Sequence, residues 1–87
     1  MNETLSPPDC STLADLVRQN ITGAEVDVGL FSGNDHFDMR VVSNAFSGKN
    51  RVARHQMVYQ ALGDYMQTGI HALALKTLTP EETGENK

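Results

Sequence analysis

Two runs of alternating apolar and polar residues most restrict the folds open to this chain of 87 residues. Residues 24–30 and residues 37–43 each place apolar side chains at every second position, with charged residues or glycine between most of them. A period of two is typical of a β-strand that buries one face and exposes the other. Residues 31–36 between them contain Ser-Gly-Asn-Asp, a composition that favours a turn. We therefore predict an antiparallel hairpin above a one-sided core.

The residues before and after this hairpin show helical periodicity. Asp9 or Ser11 can cap a first helix of about three turns, for which Asn20 and Gly23 are suitable stop residues. A short helical turn is expected from Asn44. A longer helix follows from Arg51 to the Thr68-Gly69 pair, and a third alternating strand then runs over residues 70–77, with Pro80 as its stop. The longer helix is predicted to bury one apolar face, made of Val52, His55, Val58, Tyr59, Leu62 and Met66.

These elements predict an α+β fold in α-β-β-α-α-β order. A two-layer sandwich, with helices on one face of a three-stranded mixed sheet, satisfies the apolar stripes and leaves a polar outer face. We expect a single domain over residues 9–80, a flexible N-terminal tail over residues 1–8 and a flexible C-terminal tail over residues 81–87.

The composition argues against several classes of function. The net charge of −4 argues against a non-specific nucleic-acid binder, and one cysteine, Cys10, rules out an internal disulfide framework. The longest apolar runs fall far short of a membrane span and nothing resembles a secretory leader, so we expect a soluble, cytoplasmic protein. Neither a glycine-rich phosphate loop, a Gly-x-Ser-x-Gly elbow nor a paired-carboxylate motif is present, so the sequence gives no support for an enzyme.

Three histidines are candidates for chemistry. His71 begins the last strand, and it is a strand-end side chain satisfied by a neighbour, a metal ligand or an interface residue. His36 lies in the hairpin loop beside Asp35, where the alternatives are simple solvation or ligation. His55 shares the apolar face of its helix and is expected to pack at the core or its edge. Two separate histidines cannot close a tetrahedral site, so a bound metal needs ligands from a partner.

A small basic cluster surrounds the start of the longer helix: Lys49, Arg51 and Arg54. It is either a solvated face or a phosphate contact assisted by the helix N-terminus. Arg54 is expected to be more exposed than its neighbour His55.

Several blocks of residues, in order and spacing, resemble the BolA family over residues 24–80. The blocks are Val41-Val42-Ser43, Ala45-Phe46-Ser47-Gly48-Lys49, Arg54-His55-Gln56-Met57-Val58-Tyr59, Ile70-His71-Ala72-Leu73 and Lys76-Thr77-Leu78-Thr79-Pro80. The resemblance implies an α+β sandwich similar to a type II KH domain, which agrees with the order derived from periodicity.

The resemblance also implies a function. BolA-like proteins pair with monothiol glutaredoxins of the Cys-Gly-Phe-Ser type and share a [2Fe-2S] cluster with the glutaredoxin cysteine and a glutathione. Such a protein is an adaptor in iron–sulfur trafficking or iron regulation. No cofactor is expected in the isolated protein, and it is expected to be a monomer or weak homodimer when alone.

The family's C-terminal histidine ligand matches His71, and its second ligand comes from the hairpin loop. Where some members carry a cysteine, this chain has Gly33, so His36 is the loop residue left for that role. The family's tryptophan after Thr79-Pro80 is absent as well. Family members are also linked to DNA binding and transcriptional regulation, for which Lys49, Arg51 and Arg54 are the local candidates. The KH-type Gly-x-x-Gly loop is absent around Gly48, so DNA binding is the second hypothesis.

Overall fold

The computed structural model describes residues 9–32, 36–68, 70 and 72–83. The helices are α1 (Cys10–Asn20), α2 (Arg51–Leu62) and α3 (Tyr65–Thr68), and the strands are β1 (Glu25–Ser32), β2 (His36–Val42) and β3 (Ala72–Leu78). Two short 3₁₀ turns lie at Asn44–Phe46 and Glu81–Thr83. The α+β class and the predicted order of the main elements are confirmed. The predicted N-terminal tail, residues 1–8, lies outside the described residues.

The sheet has the order β1-β2-β3. The hairpin strands β1 and β2 are antiparallel, with Val26 opposite Val41 and Val28 opposite Met39, so residues of the apolar face meet their counterparts. β3 runs parallel to β2, which makes the sheet mixed, as predicted.

The core lies between this sheet and the helices. α1 packs against β1 and α2, and α2 packs against β3. The sheet contributes Phe37, Met39 and Val41, each at most 1% exposed, and α1 contributes Leu13 and Val17. On the opposite face of the sheet, alternate residues are exposed, among them Asp27, Asp38, Ala74 and Lys76. The predicted polar outer face is therefore present.

α1 begins where the sequence indicates. The carboxylate of Asp9 accepts a hydrogen bond from the Thr12 backbone nitrogen at 2.8 Å, which satisfies one of the free amides of the first turn. The helix ends at Asn20, as predicted.

Two predictions about the longer helix, α2, are wrong. The helix does not run on to Thr68, because Gly63 follows it with φ 60° and ψ −132°, a conformation that breaks the helical path before α3. Its predicted apolar face is also wrong in part. Val58, Ala61 and Leu62 are buried, whereas Val52 is 63% exposed and Tyr59 is 38% exposed.

The C-terminal boundary at residue 80 is corrected too. Glu81–Thr83 form a 3₁₀ turn that folds back on the domain, because the Glu82 carboxylate binds Arg54 on α2 at 2.7 Å. The ordered domain therefore extends at least to Thr83, and residues 84–87 lie outside the described residues.

No helix in the described part of the chain combines the length and the apolar character that a membrane crossing requires.

Candidate functional site

One end of the sheet brings together the starts of two strands. His36 is the first residue of β2, Ala72 is the first residue of β3, and the parallel register places the two directly opposite each other. His36 is half-buried there. His71, the other predicted ligand, lies outside the described residues, but it immediately precedes Ala72 in the chain. The sheet topology thus places His36 beside the chain neighbour of His71.

His36 contributes an imidazole at this end of the sheet. A neutral ring nitrogen suits iron and other borderline metals, and two histidines can ligate one iron of a [2Fe-2S] cluster. Among the described residues, no group of three or more His, Cys, Asp or Glu side chains is arranged to hold a metal ion. Gly33 and Asp35, which the sequence reasoning placed beside His36, fall in the undescribed stretch 33–35.

His55 lies at the edge of the core on α2, as predicted. Its ring makes an edge-to-face contact with the Tyr59 ring, with centroids 6.2 Å apart and an interplanar angle of 71°. Burial lowers the pKa of His55, and the positive charge of Arg51 lowers it further, so the neutral ring is favoured. Both properties suit a packing residue.

Arg54 is not the exposed cation that the sequence predicted. Its side chain is only 13% exposed, and its guanidinium makes a two-pronged ion pair with Glu82, at 2.7 and 3.1 Å. The Nε atom donates to the Lys49 carbonyl oxygen at 2.8 Å, and the guanidinium carbon lies 5.9 Å from the centre of the Phe46 ring. Arg54 therefore joins α2, the preceding loop and the C-terminal turn.

The sequence did not predict Glu82 as the partner of Arg54, because Glu82 was assigned to a tail. Its carboxylate accepts from the Thr79 backbone nitrogen at 2.9 Å, and the Glu82 nitrogen donates to the Thr79 hydroxyl oxygen at 3.3 Å. This reciprocal pair is a capping box. The signal was present in the sequence as Thr-Pro-Glu-Glu, a Thr-x-x-Glu spacing with proline at the first helical position.

The other two basic residues lie at the mouth of a groove. Lys49 and Arg51 are exposed at the start of α2, on either side of Asn50 in the chain. The Asn50 side chain caps the helix by accepting from the Ala53 nitrogen at 2.9 Å. The groove between this helix start and β3 has a volume of about 540 Å³. Arg54 and His55 form its helical wall, so the predicted cluster does converge on one cavity, although the charge of Arg54 is already paired.

Comparison with known proteins gives one family. The family model described as BolA-like protein matches residues 12–82. SufE-like protein 1 of Arabidopsis thaliana is 46% identical over 50 residues, which cover 58% of this chain and 14% of that protein. The DNA-binding transcriptional regulator BolA of Vibrio cholerae is 49% identical over 47 residues, which cover 54% of this chain and 44% of that protein. In both comparisons the match spans less than half of the relative's length.

A solved structure agrees in fold. The structure of a bolA protein homologue from Coxiella burnetii superimposes with a TM-score of 0.76 and 32% identity, and the match covers 90% of this chain and 99% of that one. The topology described above is therefore that of the matched family over nearly its whole length.

Proposed function

This chain belongs to the BolA family, and we propose that it acts as an adaptor, not an enzyme, that binds a monothiol glutaredoxin and shares a [2Fe-2S] cluster with it. The observation that supports the proposal is the pairing of His36 with Ala72, because Ala72 directly follows His71 in the chain. In this proposal the protein takes part in iron–sulfur trafficking or iron regulation in the cytoplasm.

The ligand set in this proposal is divided between the partners. His36 and His71 supply two imidazole nitrogens, while the glutaredoxin cysteine and a glutathione supply sulfur. Nitrogen ligation raises the reduction potential of a [2Fe-2S] centre relative to full cysteine ligation, and that is the chemistry the bound cluster contributes. On this chain's side, the sheet fixes the backbone of His36 through pairs with both neighbouring strands, which pre-organises one ligand.

The test is to mix the purified protein with cluster-loaded glutaredoxin and to follow visible absorption and circular dichroism. We expect the spectrum to change on complex formation and the change to disappear with His71→Ala. His36→Ala is expected to give a less stable cluster in a complex that still forms.

The third histidine provides the matched control. His55→Gln removes an imidazole from α2, away from the paired starts of β2 and β3, and is expected to leave the cluster spectrum as it is in the unchanged protein. A normal spectrum with His71→Ala, or a loss with His55→Gln equal to that with His71→Ala, would refute the ligand assignment.

A second candidate function is DNA binding in transcriptional regulation, favoured by the name of the Vibrio cholerae relative and by the exposed Lys49 and Arg51. It predicts a rise in fluorescence anisotropy when labelled duplex DNA is titrated near physiological salt, and a weaker rise with Arg51→Ala. An absence of binding at ~10⁻⁶ M, the stronger end of non-specific affinity, would count against it. Arg54→Ala tests the same surface less directly, since this arginine already binds Glu82.

The protein alone is proposed to be a monomer or weak homodimer without a bound cofactor. Sedimentation equilibrium together with iron analysis of the purified protein tests both statements.

A further inference from the structure

The strand β3 forms an edge of the sheet. Within the described residues it pairs only with β2, in the order β1-β2-β3, so its other side offers backbone groups for a further strand. The Leu78 carbonyl oxygen accepts from the Ser43 nitrogen at 3.0 Å, whereas the Thr77 carbonyl oxygen meets Arg54 Nη1 at 3.4 Å. The two carbonyls point to opposite sides of β3, since the first continues the pairing with β2 and the second contacts α2.

The alternation of a strand extends this observation along β3. Leu75 and Leu73 lie two and four residues before Thr77, so their backbone groups face the same free side. Arg54 covers that side at Thr77. The open edge is therefore short and is centred on Leu73 and Leu75.

The groove described above adjoins this edge. Leu75, Thr77 and Leu78 line one wall, and the start of α2 lines the other. The described lining residues at the helical wall include three cationic side chains and no carboxylate: Lys49, Arg51 and Arg54. Lys76 also lines the groove, but it alternates with Thr77 and its side chain belongs to the outer face of the sheet. Glu82 neutralises Arg54, and the positive charges of Lys49 and Arg51 remain for an external partner.

The positive charges at the start of α2 also destabilise this helix. A helix N-terminus carries partial positive charge, and its first turn here contains no acidic residue. Arg51 stands at the first helical position and Lys49 lies just before the cap. Positive side chains at this place are unfavourable in the isolated domain, so an anionic partner would relieve a local electrostatic cost.

Two exposed apolar residues of α2 share a helical face with a residue that lines the groove. Val52, His55 and Tyr59 are spaced three and four residues apart, which puts them on one helical face, and His55 lines the groove. Val52 is 63% exposed and Tyr59 is 38% exposed. A ligand in the groove can thus cover apolar side chains as well as neutralise charge.

We propose that the groove between the start of α2 and the free edge of β3 binds an extended, acidic peptide segment of a partner protein, which adds a short strand beside β3. Backbone pairing supplies hydrogen bonds at Leu73 and Leu75, and acidic side chains meet Lys49 and Arg51. A nucleic-acid strand also carries negative charge, but it has no peptide backbone with which to continue the β-ladder, and the pairing of Arg54 with Glu82 removes one of the phosphate contacts.

The probe is the fluorescein-labelled peptide Glu-Glu-Val-Thr-Val-Glu-Glu, titrated without metal or glutaredoxin and followed by anisotropy. We expect saturable, salt-sensitive binding, and amide shifts in a two-dimensional NMR spectrum at Leu73 and Leu75. A peptide with its three central amides N-methylated keeps the charges but loses the backbone donors of the added strand. Its dissociation constant is expected to be at least about five-fold higher than that of the parent peptide.

Two single substitutions that change the charge equally separate the groove from the rest of the surface. Arg51→Gln is expected to weaken peptide binding about three-fold, because one exposed cation–carboxylate contact is lost. Gln19→Glu, at an exposed position of α1, lowers the net charge by the same amount and is expected to leave binding unchanged. Arg51→Gln removes an unfavourable charge from the start of a helix, so folding is not at risk.

The proposal is overturned if the peptide fails to bind at about 1 mM, the weak end of the affinity range. Equal binding of the parent and N-methylated peptides also overturns it, since it would show charge attraction without strand addition. So does tighter binding of a single-stranded oligonucleotide that displaces the peptide. Because the experiment contains no cluster and leaves His36 and His71 untouched, its failure leaves the proposed ligands unaffected.

Discussion

The carboxylate of Glu82 has a pKa lowered from 4.5 to about 2, mainly because the Arg54 guanidinium donates hydrogen bonds to it, with a further contribution from the Thr79 backbone nitrogen. A carboxylate whose pKa is lowered by folding stabilises the native state when it is ionised. The contribution is complete above the unfolded pKa and disappears as the pH falls through the folded one. The relevant window is therefore about pH 4.5 down to about pH 2.

We predict that Glu82→Gln lowers the thermal midpoint at pH 7, because the ion pair and its charge-assisted bonds are lost. The difference from the unchanged protein should shrink as the pH falls from about 4.5 and vanish near pH 2. Thermal unfolding followed by circular dichroism across this range provides the measurement. Glu81→Gln is the matched control, since it removes a neighbouring exposed carboxylate with the same change in charge. A pH-independent difference would contradict the prediction.

Arg54 shows why the properties of single side chains were only partly predictable. Its neighbours in sequence mark it as a surface cation near a helix start, but its partners Glu82 and Phe46 belong to other segments of the chain. The approach of Glu82 depends on a turn after β3, which local periodicity does not reveal. The capping-box spacing could have predicted that turn, but not that its carboxylate would reach α2.

The helix α2 has two candidate apolar faces, and only one of them is buried. Val58 is 0% exposed within the core, whereas Val52 is 63% exposed. We predict that Val58→Ala lowers the free energy of unfolding by about 2 kcal/mol, since it leaves a cavity among packed side chains. Val52→Ala, the same chemical change on the outer face, should alter stability by less than about 0.5 kcal/mol. Urea unfolding of the two variants checks the difference, and equal losses would show that the assigned face is wrong.

Gly63 determines where α2 ends. Its φ of 60° and ψ of −132° lie in a region that is almost restricted to glycine, although a Cβ there would meet nothing within 4 Å. We predict that Gly63→Ala costs about 1–3 kcal/mol through backbone strain alone. Gly29→Ala is the control, because Gly29 has equally open surroundings and no positive φ, and it should be nearly neutral. Equal effects in urea unfolding would exclude strain as the cause.

The strands were easier to predict than the helices. The alternation of apolar and polar residues predicted the ends of β1, β2 and β3 to within two residues, because a sheet with one solvent-exposed face needs a period of two. In α2 the residues of the predicted face, at positions 52, 55, 58, 59 and 62, cover one broad arc of the helix, so periodicity alone could not select the part of it that is buried. That choice was made by packing against α1 and β3. The sequence placed the predicted ligand His36 in the hairpin loop, whereas it is the first residue of β2, and its pairing with Ala72 depends on the tertiary register.

The whole domain has one continuous core formed by residues of the helices and the sheet together. Neither layer can bury its apolar face without the other, so we predict a single cooperative unfolding transition in urea. The chain contains two tyrosines and no tryptophan, so tyrosine fluorescence and far-ultraviolet circular dichroism are the two probes. Their transitions should coincide, and Val58→Ala should shift both equally. Separate midpoints would indicate that the helices and the sheet unfold independently.

The mixed sheet has a consequence for the order of events during synthesis. The β1–β2 pairing is local, but the β2–β3 pairing joins His36 to Ala72, residues 36 positions apart (72 − 36), with α2 and α3 between them. Long-range parallel pairing forms late, since the loop entropy must be lost before the contacts are gained. The hairpin can therefore form as soon as it leaves the ribosome, whereas the edge that sets His36 beside β3 exists only after β3 has emerged. A nascent chain halted before residue 72 would display β2 as an unprotected edge, and His36 would lack its partner on β3.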